Sequence, residues 1–128
     1  MRRITFLVIL VTATTFFGFS AEKTEAGYYG AIAYSQNTGC WGYSYNYRNP
    51  QEAIIEAVKR CERCSGDNTC AARVWFCRGC GALAKASNGA LGYAWAGSRQ
   101  QAENLALRYC REYGGEDCRI VCWACTSR

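Results

Sequence analysis

Residues 74–84 read Val-Trp-Phe-Cys-Arg-Gly-Cys-Gly-Ala-Leu-Ala, and at this stretch one structural unit ends and a copy of it begins. The first unit spans about residues 30–77 and opens with Gly-Ala-Ile-Ala at 30–33. The second spans about residues 81–125 and opens with Gly-Ala-Leu-Ala at 81–84. The sequence therefore predicts an internal duplication, in which features of one copy have counterparts in the other.

Each copy continues as a β-hairpin. The turns at residues 36–39 and 86–89 are rich in Asn and Gly, and glycine adopts the positive φ that hairpin turns need. The returning strands, residues 40–47 and 90–96, alternate large and small side chains. Because successive side chains of a strand point to opposite faces, the large residues share one face. These large residues are Trp41, Tyr43, Tyr45, Tyr47, Leu91, Tyr93 and Trp95.

An amphipathic helix is predicted after each returning strand. Asn49 and Ser98 are suitable N-cap residues, and Pro50 fits the first position of the first helix. Both helices carry an apolar stripe that ends at a cysteine, Cys61 or Cys110. A polar loop leads from there to a last strand that begins at a cysteine and carries a tryptophan. These pairs are Cys70 with Trp75 and Cys118 with Trp123.

Two such units predict an α+β domain: a duplicated β-β-α-β unit, with a largely antiparallel sheet and both helices packed on one side. In this arrangement the aromatic faces lie between the sheet and the helices. We therefore expect core positions for Trp41, Tyr43, Tyr93 and Trp95, and buried strand positions for Trp75 and Trp123. The alternative is an exposed aromatic face that stacks on sugar rings or anchors a protein. Its most exposed members would be Tyr28, Tyr29 and Tyr47.

The N-terminal segment, residues 1–26, is typical of a signal peptide. Arg2 and Arg3 precede an apolar run from residue 4 to 19, which is short for a membrane span. We expect cleavage to leave a mature chain that begins between Ala21 and Gly27. Residues 27–128 then form a single secreted domain, extracellular or periplasmic and without a membrane segment, unless the N-terminus stays as an uncleaved anchor.

All ten cysteines fall in this mature part. An even, dense cysteine count behind an export signal is typical of a domain held together by disulfides. The three CxxC pairs, at 61/64, 77/80 and 122/125, leave a zinc site or a redox site open as alternatives. Against a redox site, Cys61 falls at a predicted helix C-terminus, where the helix dipole disfavours a thiolate.

The duplication also suggests which cysteines pair. Cys61 and Cys70 occupy the same places in copy one as Cys110 and Cys118 in copy two, so we predict the disulfides Cys61–Cys70 and Cys110–Cys118. A third bridge, Cys80–Cys125, is expected between neighbouring strands because these residues open and close the second copy. For the other four the sequence favours no connectivity. They are Cys40, Cys64, Cys77 and Cys122.

The segments YGAIAYS, VWFCRGCGALA and CRIVCWAC give the chain a resemblance to a secreted bacterial family, domain-of-unknown-function family 4189 (DUF4189). The resemblance covers nearly the whole mature chain. It implies export and the duplicated fold, and it implies no biochemical activity. In that family cysteine is expected at six positions, with four further cysteines here as additions. The six match Cys61, Cys70, Cys80, Cys110, Cys118 and Cys125.

Catalytic residues are hard to find in this sequence. It has no histidine, which removes His-based triads and His metal ligands, and its carboxylates lie on helices or in polar loops rather than as a buried pair. No Gly-rich phosphate loop is present, and the basic residues are too scattered for a nucleic-acid patch. We therefore expect a non-catalytic interaction module, without metal or cofactor, that binds a protein or an envelope polymer as an inhibitor or effector. An unrecognised secreted hydrolase stays as an alternative.

Overall fold

Two copies of a β-β-α-β unit build the fold, in a computed structural model that describes residues 27–127. The α+β class and the duplicated unit are confirmed, while the predicted signal peptide, residues 1–26, lies outside the described residues. The first copy contains β1 (Tyr29–Tyr34), β2 (Trp41–Tyr47), α1 (Pro50–Ser65) and β3 (Ala71–Cys77). The second contains β4 (Cys80–Lys85), β5 (Leu91–Ala96), α2 (Arg99–Glu112) and β6 (Arg119–Cys125). Within residues 27–127, neither α1 nor α2 has the length and apolar character of a membrane-spanning helix.

Local sequence sets the ends of the helices. The Asn49 side chain accepts a hydrogen bond of 2.8 Å from the Glu52 backbone N–H, which satisfies one of the free donors at the start of α1. Ser98 accepts the equivalent bond from the Gln101 N–H at the start of α2. Gly66 ends α1 in a left-handed conformation (φ 70°) that side chains with a Cβ rarely adopt. The helix boundaries are therefore encoded within a few residues of each end.

Each copy forms its own antiparallel sheet, in the strand order β2-β1-β3 in the first and β5-β4-β6 in the second. α1 packs on the first sheet and α2 on the second, and the two remaining faces meet each other. The result is a sandwich of helix, sheet, sheet and helix, which replaces the expected single sheet with both helices on one side. The shared inner core contains Ile32, Tyr34, Phe76, Leu83, Leu91, Cys122 and Ala124.

Small residues decide which face of each sheet meets its helix. A Cβ added at Gly42 would lie 2.4 Å from the Ala57 carbonyl oxygen of α1, and one added at Gly92 would lie 2.0 Å from the Ala106 carbonyl oxygen of α2. The helix backbones thus rest directly on the sheets at these two glycines, which leaves no room there for an aromatic ring. The opposite faces therefore carry most aromatic residues of β2 and β5, and the expectation that these sit between sheet and helix is wrong; they are Trp41, Tyr43, Tyr45, Tyr93 and Trp95.

Candidate functional site

A row of aromatic rings runs along β2. Tyr43 pairs with Ile32 of β1, so the row Trp41, Tyr43 and Tyr45 points to the face that meets the second sheet. The ring centroids are 6.0 Å and 6.2 Å apart, and successive rings are nearly parallel, at 27° and 15°. Because β2 is an edge strand, its rings are only partly covered: Trp41 is 42% exposed and Tyr45 49%. We call these three residues the aromatic ladder.

The ladder forms one wall of a groove of about 460 Å³. The other wall is residues 121–125 of β6 in the second sheet. Arg60 of α1 reaches the ladder from the side: its Nη1 donates a hydrogen bond of 2.9 Å to the Tyr43 carbonyl oxygen, and its guanidinium carbon is 5.9 Å from the Tyr43 ring. We call this space the β2 groove.

The duplication produces a second groove at the opposite edge of the sandwich. Tyr43 pairs with Ile32 in the first sheet and Tyr93 pairs with Leu83 in the second, so Tyr93 is the counterpart of Tyr43, and Trp95 of Tyr45. Tyr93 is 41% exposed and Trp95 56%. With residues 73–77 of β3 they line a space of about 690 Å³, which we call the β5 groove.

These exposures correct the sequence-based expectation. Trp41, Tyr93 and Trp95 were expected in the core, but they are exposed, and Tyr43 is half-buried. Alternation correctly predicts that Trp41, Tyr43 and Tyr45 share a face, but Tyr47 does not join them, because a register shift between β1 and β2 places it on the helix side. Alternation does not reveal that this face, on an edge strand, extends past the cover of the opposite sheet.

Trp75 and Trp123, expected as buried strand residues, are also exposed, by 50% and 40%. They pair with Ala31 and Ala82, so they lie on the helix-covered faces of the sheets. Their own strands, β3 and β6, are however the strands that each helix covers least. The Arg99 guanidinium carbon lies 3.7 Å from the centre of the Trp123 ring, a cation–π contact that covers part of it. Truncating either tryptophan therefore removes a half-exposed side chain and not a core one.

Tyr28, Tyr29 and Tyr47, the tyrosines proposed from sequence as a partner surface, are half-buried, and neither groove includes them among its lining residues. The Arg78 guanidinium lies 4.6 Å from the Tyr28 ring. Tyr29 pairs with Tyr47 across β1 and β2, and both pack against the core under α1. Rows of more exposed rings lie along β2 and β5, at Trp41, Tyr45, Tyr93 and Trp95.

Four disulfides hold the described part of the chain together. The bonds Cys61–Cys70 and Cys110–Cys118 join the end of each helix to the start of the next strand, with Cα atoms 6.0 Å and 6.2 Å apart. Cys80 and Cys125 face each other across β4 and β6 and are bonded. These are the three pairs expected from the duplication. The fourth bond, Cys40–Cys64, joins the start of β2 to the end of α1, a proximity that only the folded chain reveals.

Cys77 and Cys122 are unpaired, and the duplication explains both. Cys77 occupies the place of Cys125, but the residue opposite it is Tyr29. Cys122 occupies the place of Val74 in the inner core, where a cysteine serves as a small apolar side chain. Burial raises the pKa of Cys122 to about 12.

Little in the structure resembles a metal or acid–base site. Among residues 27–127 no group of three or more Cys, Asp or Glu side chains is placed to hold a metal ion. Cys61 and Cys64 belong to different disulfides and Cys80 to a third, so none of these CxxC motifs is a dithiol. The pKa of Asp67 is lowered to about 2, chiefly by hydrogen bonds from Ser65 and then Thr69. A carboxylate held in this way is charged at neutral pH, the opposite of a glycosidase acid.

This hydrogen-bonded carboxylate predicts a pH dependence. Its pKa is lower in the folded than in the unfolded chain, so its contribution to stability is complete above about pH 4 and is lost as the pH falls to about 2. In thermal melts, the melting temperature of the parent should exceed that of Asp67→Asn by the same margin at pH 7 and pH 5. This difference in melting temperature should shrink between pH 4 and pH 2. A margin that persists unchanged at pH 2 would contradict the assignment.

Comparison with known proteins agrees with this architecture. The family model described as "Domain of unknown function (DUF4189)" matches residues 29–125. A similar solved structure is the NMR structure of Rv1813c from Mycobacterium tuberculosis, with 33% sequence identity and a TM-score of 0.55. The match covers 77% of this chain and 74% of that chain. No curated protein matches the chain. The family match spans both copies of the β-β-α-β unit, and the chain belongs to the DUF4189 family.

Proposed function

We propose that the protein is a secreted, non-catalytic binding module that holds a glycan chain of a cell envelope against its aromatic ladder. The observation that carries the proposal is the ladder itself. Its rings are nearly parallel and repeat along β2 at steps of 6.0 Å and 6.2 Å. A surface with a regular repeat suits a ligand with a regular repeat, and a sugar polymer offers one.

The chemistry of the ladder also favours a sugar over a globular protein. Tyrosine and tryptophan combine a flat apolar ring with a polar tip, which matches a pyranose ring with its C–H face and its hydroxyl groups. Protein partners, in contrast, usually bury a few large anchors in a central pocket. Here the exposed rings form a row along the open edge of a groove. A chain that lies lengthwise in this groove contacts all three rings.

A binding role and not a catalytic one is supported by the walls of the groove. The residues of the described chain that line it are aromatic, aliphatic or cysteine, and none is a carboxylate. Glycoside hydrolysis depends on two placed carboxyl groups beside the scissile bond. Four disulfides support a working place outside the reducing cytosol, where envelope glycans are found.

Binding can be tested on residues 27–128 by affinity electrophoresis in gels that contain a neutral polymer: dextran, hydroxyethyl cellulose or glycol chitin. The parent should be retarded by at least one polymer. Trp41→Ala/Tyr45→Ala should lose most of the retardation, because both side chains are exposed in the ladder and their removal leaves the core intact. Tyr113→Ala is the matched control, since Tyr113 is 73% exposed at the end of α2, outside both grooves.

The outcomes separate the candidate functions. If no polymer retards the parent, or if the ladder variant is retarded like the parent, the proposal is wrong. Release of reducing sugar ends from any of the polymers would instead favour the hydrolase alternative. Thiol titration of the denatured protein together with metal analysis tests the zinc and redox alternatives: two free thiols and no zinc match the four disulfides of the structure.

A further inference from the structure

The second groove differs from the first at one informative position. In β3 the register with β1 shifts between the pairs Ile32–Val74 and Ala33–Ala72, so Arg73 is an extra residue with no partner across the strand. In β6 the same shift leaves Val121 as the extra residue. Such bulges redirect a side chain relative to its sheet. Arg73 lines the β5 groove and Val121 lines the β2 groove.

Arg73 is unusual in its surroundings. Its Nη2 donates a hydrogen bond of 3.3 Å to the Tyr34 carbonyl oxygen, whereas its Nε is buried and has no hydrogen-bond partner. No carboxylate within residues 27–127 forms an ion pair with it, and no residue that lines the β5 groove is acidic. A guanidinium that lines a groove and has no carboxylate partner can form charge-assisted hydrogen bonds with an anionic ligand.

Aromatic rings lie in the same groove. Tyr93 and Trp95, the counterparts of two ladder residues, are exposed, and Tyr109 of α2 is a further lining residue. The groove thus combines ring surfaces with a single unneutralised cation. The net charge also favours an anionic ligand, since residues 27–128 contain 12 Lys and Arg and 8 Asp and Glu, a net charge of +4.

We propose that the β5 groove is a second binding site, specific for a carboxylated sugar unit of a glycan, with the carboxylate on Arg73 and the sugar ring against Tyr93 and Trp95. This inference rests on the proposed glycan-binding function and extends it. The two copies have diverged at one bulge position, valine in one and arginine in the other. The β2 groove therefore accepts neutral sugar units, and the β5 groove selects acidic ones.

The test is calorimetry of residues 27–128 with trigalacturonate and with its fully methyl-esterified form, which keeps the sugar rings and removes the charges. The parent should bind the acid more tightly than the ester. Arg73→Gln should weaken binding of the acid by about tenfold or more, the usual loss of a charge-assisted hydrogen bond, and leave binding of the ester unchanged. Arg111→Gln, the same charge change on an exposed helical residue outside the groove, should match the parent.

Two further variants keep the test decisive. Arg73→Lys retains the charge and should keep more of the preference for the acid than Arg73→Gln, which separates a loss of charge from a loss of folding. Trp95→Ala should weaken binding of the acid, because its ring is part of the stacking surface of the β5 groove, and should leave binding of the neutral ester in the β2 groove unchanged. Thermal melts of every variant should lie close to the parent.

Several results would overturn the inference. These are equal affinity of the parent for acid and ester, an Arg73→Gln variant that binds like the parent, or a hexaglutamate peptide that binds as tightly as trigalacturonate. The last result would show that the site recognises an acidic protein segment. If the ester binds through the ladder and Arg73 has no effect, glycan binding stands and only this second site is wrong.

Discussion

Replacement of Cys80 and Cys125 by alanine is expected to cost about 4 kcal/mol of unfolding free energy, the value that the loop-entropy relation gives for a bridge of this span. The bond links residues 45 positions apart and joins the central strand of the second sheet to its edge. A domain of this size has a total stability of only about 5–15 kcal/mol. Denaturant unfolding of the oxidised double variant should therefore show a midpoint far below that of the parent.

Cys77→Ala is the control that the duplication provides for this experiment. Cys77 holds the place of Cys125 in the first copy but has no sulfur partner, so its replacement removes a thiol and no bridge. Its midpoint should stay close to that of the parent. If Cys77→Ala were as damaging as the double variant, or if the double variant unfolded like the parent, the Cys80–Cys125 bond would not have the expected role.

A single added methyl group at Gly92 should also destabilise the fold strongly. The new Cβ would lie 2.0 Å from the Ala106 carbonyl oxygen and 2.3 Å from the Cys110 nitrogen, both of which belong to the backbone of α2. Since backbone atoms cannot rotate away, the helix as a whole must shift. Overpacking of this kind costs about 1–3 kcal/mol or more.

Gly97→Ala measures the cost of the same substitution without the contact. A Cβ at Gly97 meets nothing closer than the Gln101 side-chain oxygen at 4.0 Å. Its thermal melt should resemble that of the parent, whereas Gly92→Ala should melt several degrees lower. Gly42→Ala, at the equivalent place under α1, should reproduce the Gly92 result. A Gly92→Ala variant as stable as the parent would show that α2 does not rest on this strand.

The sequence predicts the elements of this fold well because their signals are local. Alternation identifies β2 and β5, and the caps at Asn49 and Ser98 mark the helix starts. Repetition adds long-range information, since two copies that keep cysteines at the same places suggest a local bridge. The fourth disulfide, Cys40–Cys64, has no counterpart in the second copy, so no repetition was available to identify it.

The relation between the two copies was harder to predict, although one signal was present. The stripes of both helices consist largely of small residues, such as Ala53 and Ala57 in α1. A helix with such a stripe approaches its sheet closely and needs a sheet face of glycine and alanine. That requirement places the sheet face with small residues against the helix and the sheet face with aromatic residues on the side away from the helix. How far the edge strands extend past the opposite sheet depends on packing between distant residues, so the grooves could not be predicted.

The buried cysteine of the inner core has a consequence for how the native bridges persist. Only the thiolate attacks a disulfide, and a thiol whose pKa is raised to about 12 is almost wholly protonated at neutral pH. Cys122 lies in the same strand as Cys125. Because its thiol is protonated, it is nevertheless a poor nucleophile towards the Cys80–Cys125 bond. Once the chain has folded, bridge exchange through Cys122 first requires the inner core to open, so burial protects the Cys80–Cys125 bond kinetically from this thiol.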